Sequence, residues 1–278
     1  MSFLLDGRSL AAALRRELKN KIAKLKITPK LGVILAGDDP ASHLYVKLKE
    51  QAAAEVGIKV AKVLLPADST ENQVLAQLKL FNQRPDMRAI LVQLPLPAQL
   101  DENLIISHID PAKDADGFHP QNLQRLLAGE PTLAPGVCQG IIKLIELANQ
   151  DTAGWLAVLL VNSAEFAQPL AKLLSQKNIR AQIIYEPNQA LLKSANIIVV
   201  AKGQPNLITT DDVQDGAIVI DVGTNKVGSR LVGDVDADSL NQRPVYLTPV
   251  PGGVGPMTVA MLLWNVYQLT ISNSKAKT

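Results

Sequence analysis

Tyr45 and Lys49 are four residues apart in the first half of the chain, so they share one face of a predicted helix. An aromatic ring beside an amine can hold a flat substrate against a group that donates or accepts a proton. Burial of that amine in an apolar cleft would disfavour its charged form and lower its pKa towards neutrality. A surface lysine that extends along a half-buried tyrosine would show the same spacing. The pair alone therefore leaves a catalytic and a structural interpretation open.

Gln93 is the only polar residue in Ala89–Leu96 (AILVQLPL), and it follows a predicted strand. Ligands of open parallel sheets bind at the carboxyl ends of the strands. A buried amide without partners costs about 1–3 kcal/mol, so Gln93 must be hydrogen-bonded. Its position favours a role in orienting Lys49 or a water molecule. A core glutamine bonded to the backbone is the alternative.

Two further segments have compositions that suit either a turn or a binding loop. Asp116 lies in residues 113–120 (KDADGFHP), and spacing alone favours a turn there. Its carboxylate could instead accept a pair of hydrogen bonds from an amino-substituted heterocycle. Residues 248–259 (TPVPGGVGPMTV) contain three glycines and three prolines. This composition predicts a rigid loop whose backbone can approach a ligand closely, although an ordinary connection remains possible.

Alternating strands and helices position these residues. In the first half, apolar runs and capping signals predict a helix over Leu10–Leu25 with Ser9 as N-cap, and a second helix that begins at Asp39–Pro40 and ends at Gly57. A third helix is expected over Thr70–Asn82. The predicted strands of this half are Lys30–Ala36, Ile58–Leu65 and Ala89–Leu94. Such alternation predicts a mostly parallel sheet that is covered on both faces.

The second half repeats the pattern as a doubly wound sheet. Its predicted strands are Trp155–Val161, Ala181–Tyr185, Asn196–Ala201 and Ala217–Val222, with helices near Pro169–Gln176 and Gln189–Lys193. The fold class is therefore α/β, with an N-terminal αβ catalytic domain and a C-terminal Rossmann-like domain. We expect residues 1–120 and about 256–278 to form the first domain and residues 121–255 the second. A C-terminal helix over Pro256–Thr270 would pack back on the first domain.

Composition excludes several classes of partner. A net charge of +2 with lysines spread along helices does not indicate nucleic acid. The longest apolar run, Trp155–Val161, is too short to span a membrane, and three apolar residues before Asp6 are too few for a signal peptide. The single cysteine, Cys138, fits a reducing, cytoplasmic compartment. The three histidines lack metal-ligand spacing, so we expect no metal.

Several segments in the same order resemble the bifunctional methylenetetrahydrofolate dehydrogenase/methenyltetrahydrofolate cyclohydrolase family. They are residues 38–42 (DDPAS), Tyr45-Val46-x-x-Lys49, 91–97 (LVQLPLP), 113–120, 220–223 (IDVG), 233–235 (GDV) and 248–259, and they cover nearly the whole chain. The resemblance implies that a hydride leaves methylenetetrahydrofolate for NADP or NAD. Water then opens the methenyl cation to give formyltetrahydrofolate. It also implies tetrahydrofolate derivatives as ligands and a homodimer.

The resemblance assigns roles to the residues introduced above. Lys49 would be the acid/base group of both steps, with Gln93 tuning and positioning it. Tyr45 would stack on the folate, and Asp116 would anchor the pterin ring. The remaining residues of the folate site would be Val92, Leu94, Pro251, Gly252, Gly253, Val254 and Gly255, and weaker cofactor contacts would come from Ser163 and Thr224. Because the methenyl carbon is already cationic, a neutral lysine suits the attack of water.

The cofactor loop departs from the family pattern Gly-Arg-Ser-x-x-Val-Gly-x-Pro. Here residues 161–169 read VNSAEFAQP, so Val161 and Ala167 replace both glycines and Asn162 replaces the arginine. Their β-carbons would then stand where the backbone should approach a pyrophosphate. Glu165 adds a negative charge, while Glu186, after the second strand, could bind a ribose hydroxyl and favour NAD.

These departures make the cyclohydrolase step the more secure expectation and make the binding of NADP or NAD doubtful. A cyclohydrolase with a non-functional nucleotide site is one alternative. A folate-binding or assembly protein without catalysis is another, and Lys49, Gln93 and Asp116 argue against it.

Overall fold

The structure is a computed structural model that describes residues 1–275, with the side chains of residues 1–272. The chain forms two compact units. One contains Ala12–Gly136 and the residues from Val259 onwards, and we call it the three-stranded unit. The other contains Met1–Ala11 and Val137–Thr258, and we call it the six-stranded unit.

Helices and strands alternate along both units. The strands are β1 Phe3–Leu4, β2 Lys30–Ala36, β3 Lys59–Leu65, β4 Ala89–Val92, β5 Leu156–Val161, β6 Arg180–Ile184, β7 Ile197–Ala201, β8 Ile218–Asp221, β9 Asn225–Val227, β10 Arg230–Val232 and β11 Tyr246–Leu247. The helices are α1 Gly7–Ile22, α2 Pro40–Val56, α3 Glu71–Gln83, α4 Glu102–Ser107, α5 Pro120–Ala128, α6 Gly136–Leu147, α7 Ala164–Ser175, α8 Gln189–Ser194, α9 Ala237–Leu240 and α10 Val254–Lys275. Short 3₁₀ turns lie at Pro111–Lys113 and Thr210–Asp212.

A parallel sheet in the order β3-β2-β4 forms the centre of the three-stranded unit. The middle strand, β2, is buried along almost its whole length, as its apolar sequence predicts. The next helix, α2, begins where the sequence predicts, because the carboxylate of Asp39 accepts hydrogen bonds from the backbone of Ala41 and Ser42. It ends at Gly57, which adopts the left-handed conformation with φ 88°.

The C-terminal helix packs into the three-stranded unit, which confirms the prediction that it packs back on the first domain. Leu262, Leu263, Val266 and Leu269 of α10 belong to the core cluster that includes Leu31 of β2. The fully buried Asn265 of this helix donates hydrogen bonds to the backbone oxygens of Ala115, at 3.0 Å, and Ala134, at 3.2 Å. The helix therefore holds the backbone next to Asp116.

The six-stranded unit contains a parallel sheet in the order β1-β11-β8-β7-β5-β6. After β5 the chain adds β6 on one side and then crosses to add β7 on the other. This reversal is the topological switch point of a doubly wound sheet, and ligands bind outside the carboxyl ends of the strands at such a point. The predicted two-domain α/β class is confirmed.

The compact units divide the chain differently from the predicted domain boundaries. Residues 1–11 lie in the six-stranded unit because β1 pairs with β11, and residues 121–136 lie in the three-stranded unit. The predicted segment 256–278 also extends to residues 276–278, which are outside the described part of the chain. The boundaries of the functional domains stay a prediction.

Several predicted boundaries differ from the structure, and three of the differences have a clear local reason. Ser9 lies inside α1, and Asp6 is the residue whose carboxylate accepts from the Ser9 backbone and hydroxyl. Strand β4 ends at Val92 rather than Leu94, since Pro95 and the residues around it turn the chain. Helix α7 begins at Ala164 with Ser163 as N-cap, so Pro169 is inside the helix rather than at its start.

No helix among residues 1–275 combines the length and apolarity that crossing a membrane requires.

Replacing Asn265 with alanine should lower the free energy of unfolding by about 2 kcal/mol, because two buried hydrogen bonds to backbone oxygens are lost. Chemical denaturation followed by circular dichroism measures this change. The matched control is Gln268→Ala, a partly exposed amide on the same helix. Its effect should stay within about 0.5 kcal/mol. Equal losses for both variants would show that the Asn265 hydrogen bonds do not hold α10 in place.

Candidate active site

Lys49 lies on the buried face of α2. Buried residues recur along this helix at helical spacing: Ser42, Val46, Lys49, Ala52, Ala53 and Val56. Only 8% of the Lys49 residue is exposed, and its Nζ donates a 2.9 Å hydrogen bond to Oε1 of Gln93. The structure thus brings together two of the residues singled out in the sequence. The interpretation of Lys49 as a surface lysine does not hold.

Gln93 follows β4 at the carboxyl edge of the three-stranded sheet. It is 7% exposed, and its Nε2 donates to the backbone oxygen of Leu94. Because the amide nitrogen donates a hydrogen bond to the Leu94 carbonyl, the amide oxygen faces Lys49. The backbone orients the Gln93 amide, and the amide orients the amine.

The Lys49 amine is held in an environment that disfavours its charge. Burial lowers the pKa of Lys49 below its ordinary value, while the negative charge of Asp116 acts in the opposite direction. Burial also raises the pKa of Asp116, and the nearby Asp114 adds to that increase while Lys49 opposes it. Both shifts favour the neutral forms, so the amine is closer to proton exchange near neutral pH than a solvated lysine would be.

A second aspartate holds the segment that carries Asp116. The buried carboxylate of Asp114 accepts from the backbone N–H of Gly117 at 3.0 Å and of His119 at 2.9 Å, and from Nδ2 of Asn122 at 3.1 Å. The turn-forming role that the composition predicted for this segment therefore belongs to Asp114. Sequence reasoning missed Asp114, although two acids so close together could have suggested a division of roles.

Apolar side chains lie beside Asp116 and are exposed on α2. A small pocket beside Asp116 is lined mainly by apolar side chains, among them Ile90, Val92, Leu94 and Phe118. On α2, Tyr45 is 39% exposed, and Leu44 and Leu48 are exposed beside it in the sequence. Apolar linings of this kind are typical of small-molecule sites.

The carboxyl edge of the six-stranded sheet carries the two predicted cofactor residues, Ser163 and Thr224, together with Asn162 and Lys202. Asn162 and Ser163 follow β5, Lys202 follows β7, and the exposed Thr224 follows β8. These three strands are neighbours, so the residues lie along one edge at the switch point. The Asn162 side chain donates a 2.9 Å hydrogen bond to the backbone oxygen of Lys202 and so connects the turns after β5 and β7.

Comparison with known proteins finds two domains of one enzyme family along the chain. Residues 5–116 match the catalytic domain of tetrahydrofolate dehydrogenase/cyclohydrolase, and residues 135–274 match the NAD(P)-binding domain of that enzyme. The chain belongs to the tetrahydrofolate dehydrogenase/cyclohydrolase family. The expected identification as an enzyme of this family is confirmed.

Individual relatives of this family cover almost the whole chain. A protein from Nitratiruptor sp. named bifunctional protein FolD is 43% identical over 269 residues, which cover 94% of this chain and 95% of the relative. The crystal structure of the bifunctional enzyme FolD from Campylobacter jejuni has a TM-score of 0.93 at 39% identity, over 98% of this chain and 99% of that one. A Trypanosoma brucei enzyme, described in complex with NADP cofactor and inhibitor, has a TM-score of 0.92 at 34% identity, over 98% of both chains.

The glycine replacements in the cofactor loop of this family member do not change its exposed surface. Val161 and Ala167 are both fully buried, so their β-carbons pack inside the unit instead of facing a ligand. Positive φ angles at non-glycine residues occur within the described residues only at Asn149, Asn178 and Asn206. The turn after β5 thus needs no glycine. The expectation that these β-carbons block a pyrophosphate has no support in the structure.

Two carboxylates nevertheless add negative charge to this region. Glu165, in the first turn of α7, and Glu186, after β6, are both exposed. Glu186 lies 3.9 Å from Nζ of Lys202, whose amine also donates to the backbone oxygen of Tyr185 at 2.7 Å. Lys202 partly balances Glu186. The loop that contains Pro251, Gly252, Gly253, Val254 and Gly255 belongs to the six-stranded unit, where the Val250–Pro251 peptide bond is cis.

Across the described residues, no group of three or more His, Cys, Asp or Glu side chains could hold a metal ion.

Replacing Gln93 with glutamate should shift the rising limb of the cyclohydrolase pH–rate profile to higher pH by about one unit or more. The new carboxylate favours the charged form of Lys49 and raises its pKa. The neutral amine then becomes abundant only at a higher pH. Steady-state hydrolysis of methenyltetrahydrofolate between pH 6 and 9 measures the shift.

Gln99→Glu is the matched control. The Gln99 amide also donates to backbone oxygens, those of Ala67 and Ser69, but it is exposed. Its profile should not move. An unshifted profile for Gln93→Glu would rule out the control of Lys49 by Gln93.

Proposed function

We propose that this chain interconverts one-carbon derivatives of tetrahydrofolate and that it acts as a methenyltetrahydrofolate cyclohydrolase. The observation that carries the proposal is the buried hydrogen bond from Lys49 Nζ to Gln93 Oε1, beside a carboxylate of raised pKa. Burying an amine costs stability, and a proton-transfer role would account for that cost.

The cyclohydrolase step needs a base for water. A neutral Lys49 amine donates one N–H to Gln93 and keeps its lone pair for a proton of the attacking water. The water oxygen bonds to the methenyl carbon while that proton passes to Lys49. The bond from this carbon to one ring nitrogen then breaks, and that nitrogen takes the proton held by Lys49. The hydroxyl proton leaves for solvent, and the carbon becomes a formyl group. One proton is released overall, so the atoms and charges balance.

Asp116 and Tyr45 would hold the substrate. The carboxylate of Asp116 can accept two hydrogen bonds from the amino-substituted pterin edge. The exposed ring of Tyr45 and its apolar neighbours Leu44 and Leu48 offer a stacking surface. Val92 and Leu94 would contribute the apolar wall of this site. The role of Pro251, Gly252, Gly253, Val254 and Gly255 in folate binding remains part of the proposal.

We include the dehydrogenase activity in the proposal, with NADP or NAD as the cofactor. The nicotinamide of a bound cofactor would accept a hydride from methylenetetrahydrofolate. The residues present fit a dinucleotide, since the N-terminus of α7 meets the switch point and the buried β-carbons of Val161 and Ala167 leave that edge open. Ser163 and Thr224 would contact it, and Glu186 would meet an adenosine ribose.

A homodimer and a cytoplasmic location complete the proposal. The homodimer rests on the family resemblance, and the location rests on the sequence. In the described sheet, β6 is an edge strand of the six-stranded unit, which leaves backbone groups available for a partner. Sedimentation at micromolar concentration distinguishes a dimer from a monomer.

Calorimetric titration with NADP and, separately, with NAD tests the dehydrogenase part, with a folate analogue present. Micromolar binding of either nucleotide and hydrolysis of methenyltetrahydrofolate by the same sample are the expected results. The variant Lys49→Met should lose hydrolysis yet bind nucleotide normally, because its amine lies in the other unit. Hydrolysis without binding of either nucleotide would reduce the function to the cyclohydrolase. Hydrolysis by Lys49→Met at the original rate would overturn the assignment of the base.

A further inference from the structure

Two buried aspartates lie at the carboxyl edge of the six-stranded sheet and have no part in the mechanism above. Asp221 is the last residue of β8, and Asp234 follows β10. Asp234 is completely buried and Asp221 is 3% exposed. A buried carboxylate is costly unless donors surround it, so the partners of these two residues reveal what they hold.

The carboxylate of Asp234 holds the loop that follows β7. Its Oδ2 accepts from the backbone N–H of Lys202 at 2.6 Å and of Gly203 at 3.0 Å. Its Oδ1 accepts from the backbone N–H of Gln204 at 2.9 Å and from Nδ2 of Asn225 at 2.8 Å. Three successive peptide groups thus converge on one carboxylate, which fixes the shape of residues 202–204.

Asp221 in turn holds the backbone of Asp234. Its Oδ1 accepts from the N–H of Asp234 at 3.0 Å and of Gly223 at 2.9 Å, and its Oδ2 accepts from the N–H of Val235 at 2.9 Å. Burial raises the pKa of Asp221 to about 6, and the charge of Asp234 adds to that increase while these N–H groups oppose it. The arrangement is therefore maintained at neutral pH against a cost in free energy.

Two glycines make room for the carboxylates. A β-carbon on Gly223 would overlap the carboxylate of Asp234, and one on Gly233 would overlap that of Asp221. Neither glycine has a positive φ, so close approach rather than backbone conformation is the constraint. The segments after β8 and after β10 interlock through these contacts.

The loop held by Asp234 lies at the switch point. Strand β7 is between β5 and β8, so residues 202–204 lie between the turn at Asn162 and Ser163 and the exposed Thr224. Asn162 bonds to the Lys202 carbonyl from the β5 side, while Asp234 takes the Lys202 N–H. The loop of residues 202–204 is thus anchored through the backbone N–H and the backbone carbonyl of Lys202. This loop lies at the edge of the sheet where we expect a dinucleotide.

We propose that Asp234 is a positioning residue for nucleotide binding, which holds residues 202–204 in the shape that NADP or NAD requires, with Asp221 as its support. This inference rests on the proposed function of the six-stranded unit. Asp234 touches no substrate in this account and acts through the loop.

The test is Asp234→Asn in the full chain, with NADP and NAD as calorimetric probes. Each carboxylate oxygen of Asp234 accepts hydrogen bonds from two N–H donors. The asparagine side chain has only one oxygen, so its NH₂ group would face one pair of donors, and those two hydrogen bonds would be lost. We expect the dissociation constant of the nucleotide to rise about tenfold or more. The KM for nucleotide should rise likewise. The rate of methenyltetrahydrofolate hydrolysis should not change, a separation that general misfolding would not produce.

Two more variants keep the test decisive if Asp234→Asn folds poorly. Gly223→Ala retains the charge of Asp234 but displaces its carboxylate, so it should weaken nucleotide binding in the same way. Asp236→Asn is the matched control, since Asp236 caps α9 through the Ser239 N–H and does not bond to residues 202–204. The Asp236→Asn variant should bind NADP and NAD with the same affinity as the unaltered chain.

Unaltered nucleotide affinity in a folded Asp234→Asn or Gly223→Ala variant would overturn this inference but not the proposed function. If the unaltered chain binds neither nucleotide, the dehydrogenase part of the proposed function fails, and the positioning role fails with it. The two failures are therefore distinguishable.

Discussion

The burial of one lysine on the core face of a helix is the constraint on which the catalytic account depends. An ammonium group taken from water loses solvation that a single amide oxygen does not replace. Lys49 has that amide, from Gln93, and it has Asp116 near enough to influence its pKa. Burial thus shifts Lys49 towards its neutral form, and the neutral amine is the form that can accept a proton.

At the carboxyl edge of each sheet, where ligands are expected, a buried carboxylate accepts the backbone N–H groups of a loop. In the three-stranded unit, Asp114 collects the backbone N–H groups of the segment that carries Asp116. In the six-stranded unit, Asp234 collects those of the loop after β7. A carboxylate surrounded by peptide N–H groups fixes a loop without a regular ladder, because each lost bond would leave a charged acceptor unsatisfied. Loops at the ends of parallel strands become rigid in this way.

Much of this organisation could be predicted from the sequence. The run KLGVILA predicted β2 with its observed bounds, and the caps predicted both ends of α2. The burial of Lys49 could also have been predicted, since Val46, Lys49, Ala53 and Val56 recur at helical spacing. That periodicity already placed the amine on the core face of the helix.

Other features depend on contacts that no local pattern contains. The partners of Asp114 and Asp234 are backbone groups of folded loops, so their roles emerge only in three dimensions. Likewise, the sequence showed that Val161 and Ala167 replace glycines, but only packing shows that both side chains point into the unit. Ser163, a strong N-cap residue, was the overlooked local signal for the start of α7, since Pro169 drew the predicted start five residues too late.

The most direct test of the central claim is the pKa of Lys49 itself. Nuclear magnetic resonance of the protein with isotopically labelled lysine side chains follows the Nζ and Cε resonances through a pH titration, and the spectrum of Lys49→Met assigns the signal. The account predicts that the pKa of Lys49 lies below its ordinary value of 10.5 and below those of the surface lysines. A Lys49 signal that titrates together with the surface lysines would contradict the account.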